Sequence, residues 1–150
     1  MCSMEATDTK ALEAMIRQIL LEKLGASAPP ARHGVRAVKV PAIKVTEADR
    51  MDTGRAGDVV YTRDLFTLAE SPRLGAGIME MRATAFPWTL NYDEMDYVIE
   101  GRLDILVGGE RVSAGPGEVI YIPKGSAIQF SVADHARFLY FVYPADWQKQ

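Results

Sequence analysis

A chain of 150 residues, 48% hydrophobic and 25% charged, has the size and make-up of one ordinary globular domain. Its formal net charge of -3 is spread without long basic runs, which excludes the cationic footprint of a nucleic-acid binder, and its apolar stretches are too short to span a bilayer. The single cysteine, Cys2, permits no internal disulfide and argues against a thiol-based centre; with no signal-type start, a cytoplasmic protein is expected.

The first predicted element is a helix. Leu12, Met15, Ile16, Ile19, Leu20 and Leu24 fall at the spacing of one helical face, with Glu13, Arg17, Glu22 and Lys23 between them. Asp8 or Thr9 can cap its start, and Gly25 stands where a left-handed residue ends a helix. Residues 1–25 therefore read as an amphipathic helical segment. Residues 26–34, Ala-Ser-Ala-Pro-Pro-Ala-Arg-His-Gly, have the composition of a linker, and residues 35–150 form the remaining domain.

Beyond Val35 the apolar period changes from 3.6 to 2. Strand-like runs occur at Val38–Ile43, Val59–Phe66, Gly77–Ala83, Met95–Ile99, Leu103–Val107, Glu118–Ile122, Ile128–Val132 and Arg137–Tyr143. Gly108-Gly109 is suited to a primed two-residue turn leading into Glu110–Val112, because such turns require positive φ. Further turns are expected at 113–117 and 123–126. The pattern predicts an all-β sandwich or barrel.

Two segments narrow this. Glu94-Met-Asp-Tyr-Val-Ile-Glu-Gly101 resembles the end of the first cupin motif, and Gly117-Glu-Val-Ile-Tyr-Ile-Pro-Lys-Gly125 resembles the second. Phe86-Pro-Trp-Thr-Leu-Asn-Tyr-Asp-Glu94, Ile122-Pro-Lys-Gly-Ser126 and Arg137-Phe-Leu-Tyr140, followed by Pro144 and Trp147, are similar to the EutQ family of ethanolamine-utilisation cupins. The resemblance implies a single jelly-roll cupin barrel following the short N-terminal amphipathic helix.

It also implies where a site would lie. Cupins of the conventional kind bind a divalent metal through two histidines and a glutamate of the first motif and one histidine of the second. The corresponding positions here hold Pro87 or Trp88, Thr89 or Leu90, and Ile128, and only Glu94 remains. The two histidines, His33 in the linker and His135 in an expected loop, are out of register, so no transition-metal site is expected. On an extended strand Glu94, Asp96, Val98 and Glu100 share one face. If Glu94 points inward, Asp96 does too, and the pair becomes a candidate site; Glu100 is expected at a strand end in solvent.

Glu94, Asp96, Tyr92 and Lys124 are thus candidate catalytic groups, with Arg82, Trp88, Thr89, Tyr97 and Tyr121 as candidate substrate-binding residues. Trp88 can equally fill core or cap the cavity, and Lys124 can equally be a solvated turn lysine. The resemblance implies acetate kinase activity, acetyl phosphate and ADP giving acetate and ATP. Glu94 and Asp96 would then be possible Mg²⁺ ligands for ATP or ADP. No Walker-type loop is present. A second reading is a non-catalytic structural or adaptor cupin of a bacterial microcompartment, docking on shell or cargo proteins through residues 9–24. A metal-free isomerase relying on Tyr92, Tyr97 or Tyr121 ranks last. A homodimer that binds a small-molecule ligand is expected, with no nucleic-acid or membrane partner.

Overall fold

The computed structural model describes residues 33–150, of which Val38–Gln150 form one compact unit. The predicted helix and most of the linker lie outside the described residues. Seven strands follow in chain order: β1 (Val59–Asp64), β2 (Gly75–Thr89), β3 (Asp93–Gly101), β4 (Leu103–Val107), β5 (Glu110–Ala114), β6 (Val119–Ile122) and β7 (Ala127–Tyr143). All pairings are antiparallel. Among the described residues no helix is long and apolar enough to cross a membrane.

The longest strand, β7, organises the sheet. It pairs with β2 along nearly its whole length, while its other edge is shared by β4 near its start and β3 towards its end. β6 extends the sheet beyond β3, and β1 extends it beyond β2. The apolar runs 128–132 and 137–143, which the sequence separates by Ala133-Asp-His135, are thus one continuous strand. His135 belongs to that strand and not to a loop, because its pairing with Arg82 satisfies the backbone there. β2 likewise continues through Pro87 to Thr89. Conversely, the β-rich run at 38–43 is not a strand: Pro41 sits inside a short 3₁₀ turn, Val40–Ala42.

Register irregularities bend the two strands that neighbour β7. In β2 the pairing shifts between Arg82 and Thr84, and Ala83 between them adopts a positive φ of 41°. Thr84 pins this bulge: its Oγ1 accepts the Val59 N–H at 2.8 Å and donates to the Arg82 carbonyl at 2.7 Å. In β3 the shift falls between Val98 and Glu100. It turns Glu100 out to solvent while Glu94, Asp96 and Val98 stay buried.

The core lies on the inward face of the sheet. Phe86, Phe130 and Phe138 stack in sequence, with centroids 5.3 and 6.5 Å apart, over Val98, Leu103, Ile105 and Ile120. On the outer face the buried Arg137 pairs with Glu80 and donates to the carbonyls of Val40 and Ile43, fastening the 3₁₀ turn to β7. Glycine is required at the end of β3. Gly101 has φ 75°, and a Cβ there would run into the His135 carbonyl. Gly101→Ala should lower the stability by about 2 kcal/mol or more, read as a reduced urea midpoint with an unchanged m-value.

Candidate functional site

The inward face of β3 carries the chemistry. Glu94, 5% exposed, lies opposite Ile122 of β6 and Val142 of β7, and Asp96, fully buried, lies opposite Ile120 and Tyr140. The two-residue period of an extended strand puts both carboxyls on the core side with Val98. Among the described residues no hydrogen-bond partner reaches either oxygen of Asp96. Glu94 is the neighbouring acid on the same face, and the burial of Asp96 together with the Glu94 charge favours its protonated form.

Burial sets the protonation of this pair. Removal from water pushes Glu94 up to about 7, although its bonds to Asp96 and Tyr92 oppose the shift. Asp96 rises well above the ordinary carboxylate range, first through burial and then through the Glu94 charge. Tyr92 is raised by burial and by the nearby Glu94, and its hydroxyl accepts the Trp88 Nε1–H at 2.8 Å. Tyr140 is raised by burial and by the bond its hydroxyl donates to Asp64, 2.7 Å long. Both phenols are thus held as neutral donors.

A cavity of about 560 Å³ opens onto Glu94. Trp88, Thr89, Tyr92, Tyr140, Phe86 and Phe130 line its depth, and Asn91, Trp147, Gln148 and Gln150 bring the C-terminal turn against it. Trp147 packs on Tyr92 and Trp88, with ring centroids 5.3 and 6.2 Å away. Among the described residues no lysine, arginine or histidine lines it.

Of the residues singled out from sequence, the structure brings Glu94, Asp96, Tyr92, Trp88 and Thr89 together, with Asp96 behind Glu94 and away from the cavity wall. It does not bring Lys124, Arg82, Tyr97 or Tyr121 to that place. Lys124 lies in the exposed turn after β6, where its backbone N–H bonds Asp93 at 2.9 Å. Arg82 lines a separate outer cavity of about 500 Å³ with Lys44, Glu80, Glu100, His135 and Arg137. Tyr97 and Tyr121 are on the solvent face of the sheet. Tyr140, Asp64, Asn91 and Trp147 were not recognised as site residues. For Tyr140 a signal existed, since it shares strand parity with Phe138 and Val142; Asp64 ends β1, and Asn91 and Trp147 come from a loop and a turn that carry no period.

A metal cage built from protein alone is not available, because among the described residues no group of three His, Cys, Asp or Glu is placed to hold an ion. Mg²⁺ asks for less. One or two carboxylates with waters and substrate oxygens is its usual set, and Glu94 at the cavity wall fits the role of single carboxylate ligand.

Residues 7–149 match the family described as Ethanolamine utilisation protein EutQ. The chain belongs to that family. A relative named acetate kinase EutQ from Clostridioides difficile is 55% identical over 95% of this chain and 96% of its own. One of the same name from Salmonella typhimurium is 40% identical over 77% of this chain but only 48% of its own, so this chain spans about half the length of that relative. The solved Clostridium difficile EutQ structure superposes with a TM-score of 0.79 at 62% identity, covering 81% of this chain and 89% of that one. A cupin domain from Schizosaccharomyces pombe Cnp3 matches with a TM-score of 0.55 at 14% identity, over 75% of this chain and 72% of its own, which shows the cupin fold alone.

The carboxyl pair makes stability depend on pH. Both folded values lie above the unfolded ones, so the contribution is complete below about pH 4 and is lost as pH rises, through about 7 for Glu94, with Asp96 shifted in the same direction. For Glu94 the loss is on the order of 3 kcal/mol, the linkage equivalent of the rise from its ordinary value to about 7. The wild type should therefore be less stable to urea at about pH 8 than at about pH 5. Asp96→Asn, which removes one charge and offers Glu94 a donor, should shrink that difference by at least about half. An unchanged difference would locate the pH dependence elsewhere.

Proposed function

We propose that this chain is a cupin phosphotransferase that exchanges a phosphoryl group between acetyl phosphate and ADP, with Glu94 as the central acidic group. The reading is carried by one observation: the buried Glu94 carboxyl is exposed to the interior cavity of a chain 55% identical, along nearly its full length, to a protein named acetate kinase EutQ. In the transfer the bond from phosphorus to the acyl oxygen breaks as a bond to a terminal ADP oxygen forms, and acetate leaves. No general base is needed, so the protein's task is positioning and charge neutralisation.

The lining explains why a divalent ion would be required. With no cationic side chain among the described residues of the cavity wall, a phosphate would meet the Glu94 and Asp52 carboxyls and neutral donors there. Mg²⁺ held by ionised Glu94 and water would supply the missing positive charge. Tyr92, kept protonated, offers an O–H to a phosphate or carboxylate oxygen, whereas that of Tyr140 is donated to Asp64, and Trp88 and Trp147 narrow the space around a small acyl group.

ATP formation from acetyl phosphate, ADP and Mg²⁺, followed in a coupled assay, tests this. Glu94→Gln should lower kcat/KM by about 100-fold or more, and wild-type kcat/KM should rise with pH through about 7 as Glu94 ionises. Turnover that is equal in wild type and Glu94→Gln would sink the proposal. The finer setting, within an ethanolamine-degrading microcompartment, is proposed on the family relationship. The segment 9–24 suggested for docking lies outside the described residues.

A second observation favours a protein contact. Met95 and Tyr97 of β3, Val119 and Tyr121 of β6, and Phe141 and Tyr143 of β7 are 39–58% exposed on adjoining strands, where Met95 is paired with both Tyr121 and Phe141. Together they offer roughly 500 Å² of largely apolar surface, more than half of the ~800 Å² each partner contributes to a standard interface. We propose that a second copy of this chain covers this face, because an uncharged patch spanning three strands suits an isologous contact. Tyr121→Asp should convert a dimer to a monomer in sedimentation analysis with the fold retained. A wild type that sediments as a monomer would instead leave the face to another protein.

A further inference from the structure

The outer face of the sheet carries a second cavity, of about 500 Å³, on the opposite side of β2 and β7 from Glu94. The two-residue period of the strands builds it. Met79 and Met81 of β2 are buried in the core, so Glu80 and Arg82 point outward, and β7 turns Ala136 and Phe138 inward and His135 and Arg137 outward. Antiparallel register sets Glu80 opposite Arg137 and Arg82 opposite His135. The register shift in β3 beyond Val98 brings Glu100 opposite Arg137, and the segment after the 3₁₀ turn Val40–Ala42 adds Lys44. Three cations, Lys44, Arg82 and Arg137, and two carboxylates, Glu80 and Glu100, therefore line one space together with His135.

These charges are not equivalent. The buried Arg137 is matched by Glu80 and by the Val40 and Ile43 carbonyls, so that part of the wall is neutral and fixed. Arg82 and Lys44 are exposed and make no ion pair among the described residues, which sets them, with the half-buried His135, against Glu100 alone. From this arrangement we infer that the outer cavity binds a small phosphomonoester, its phosphate held by Arg82, Lys44 and His135. The three groups stand on three separate segments, β2, the 3₁₀ connection and β7. A tetrahedral phosphate has oxygens enough to meet all three at once, with a guanidinium fork, an ammonium point charge and an imidazole N–H; a planar carboxylate has two. Val40, Pro41, Val45 and Ile99 give the same cavity an apolar side for the organic part of the ester, and the volume is within the usual range of small-molecule sites. The inference goes beyond the phosphotransfer reading, since it uses none of that site's residues and lies on the other face of the sheet.

The test is calorimetric titration of the full chain at about pH 7.5, where a phosphomonoester is close to fully dianionic, in a buffer free of phosphate and magnesium. Phenyl phosphate, benzoate and inorganic phosphate are the probes. Benzoate keeps the ring and exchanges phosphate for carboxylate; inorganic phosphate keeps the anion and lacks the apolar body. Phenyl phosphate should bind at least about 10-fold more tightly than benzoate and at least about 3-fold more tightly than inorganic phosphate. Arg82→Gln should weaken phenyl phosphate by about 10-fold or more, the size of one hydrogen bond to a charged group, with the thermal midpoint unchanged because Arg82 is exposed. Glu100→Gln should tighten it by about 3-fold or more by removing a like charge from the wall, a gain that a purely structural role would not produce. Glu94→Gln should leave it unchanged, which separates the outer cavity from the interior one. No phenyl phosphate binding up to about 10 mM, equal affinity for benzoate, or binding lost in Glu94→Gln and kept in Arg82→Gln would overturn the inference. ATP formation is not read in this experiment and Glu94 is not needed for it, so its failure is separate from a failure of the phosphotransfer reading.

Discussion

The structure depends on what it costs to bury two carboxyl groups side by side on one strand. Glu94 and Asp96 are held in the core by the pleat of β3, and Asp96 meets no protein donor at all. Two negative charges at neighbouring inward positions in an apolar surround would repel strongly. Burial therefore favours the protonated acids, and the apolar core supplies the stabilisation that offsets their cost. Phe86, Phe130 and Phe138, with Val98 and Ile120, surround the strand and leave the pair a single opening, through Glu94.

That single opening divides the roles of the two acids. Glu94 faces the cavity and can exchange its proton for a cation, whereas Asp96 sits behind it and acts by setting how readily Glu94 ionises. Tyr92 and Tyr140 flank the opening as protonated donors, tied by Trp88 and Asp64 respectively. A core that stores an unpaired acid next to a ligand space has given up stability to keep a reactive group there, the trade expected of a functional site. Among the described residues the wall carries the Glu94 and Asp52 carboxyls and no cationic side chain.

The outer face of the same strands has a different character. Glu80, Arg82, His135 and Arg137 make one end polar, and Arg137 spends its guanidinium on the segment 40–43. Met95, Tyr97, Tyr121 and Phe141 make the other end apolar and open. Alternation along β3 thus separates two functions by one residue: odd-numbered positions before the bulge face outward, and Glu94, Asp96 and Val98 face the ligand space and core.

Sequence by itself determined the all-β class, the Gly108-Gly109 hairpin turn, whose glycines have φ of 57° and 82°, and the alternating face that buries Glu94 with Asp96. These are local properties, set by a two-residue period and by the φ that a turn demands. The lack of histidine at the cupin metal positions is legible in the sequence directly. Tertiary structure decided the rest. That Arg82 and Lys124 lie outside the cavity follows from the bulge at Ala83 and the turn at Pro123, which no pattern of hydrophobicity encodes. That Tyr140 and Trp147 reach it follows from the pairing of β2 with β7 and from the C-terminal turn folding back over Tyr92, contacts between residues far apart in the chain. Periodicity fixes which side of a strand a residue occupies; only the assembled sheet fixes what stands opposite.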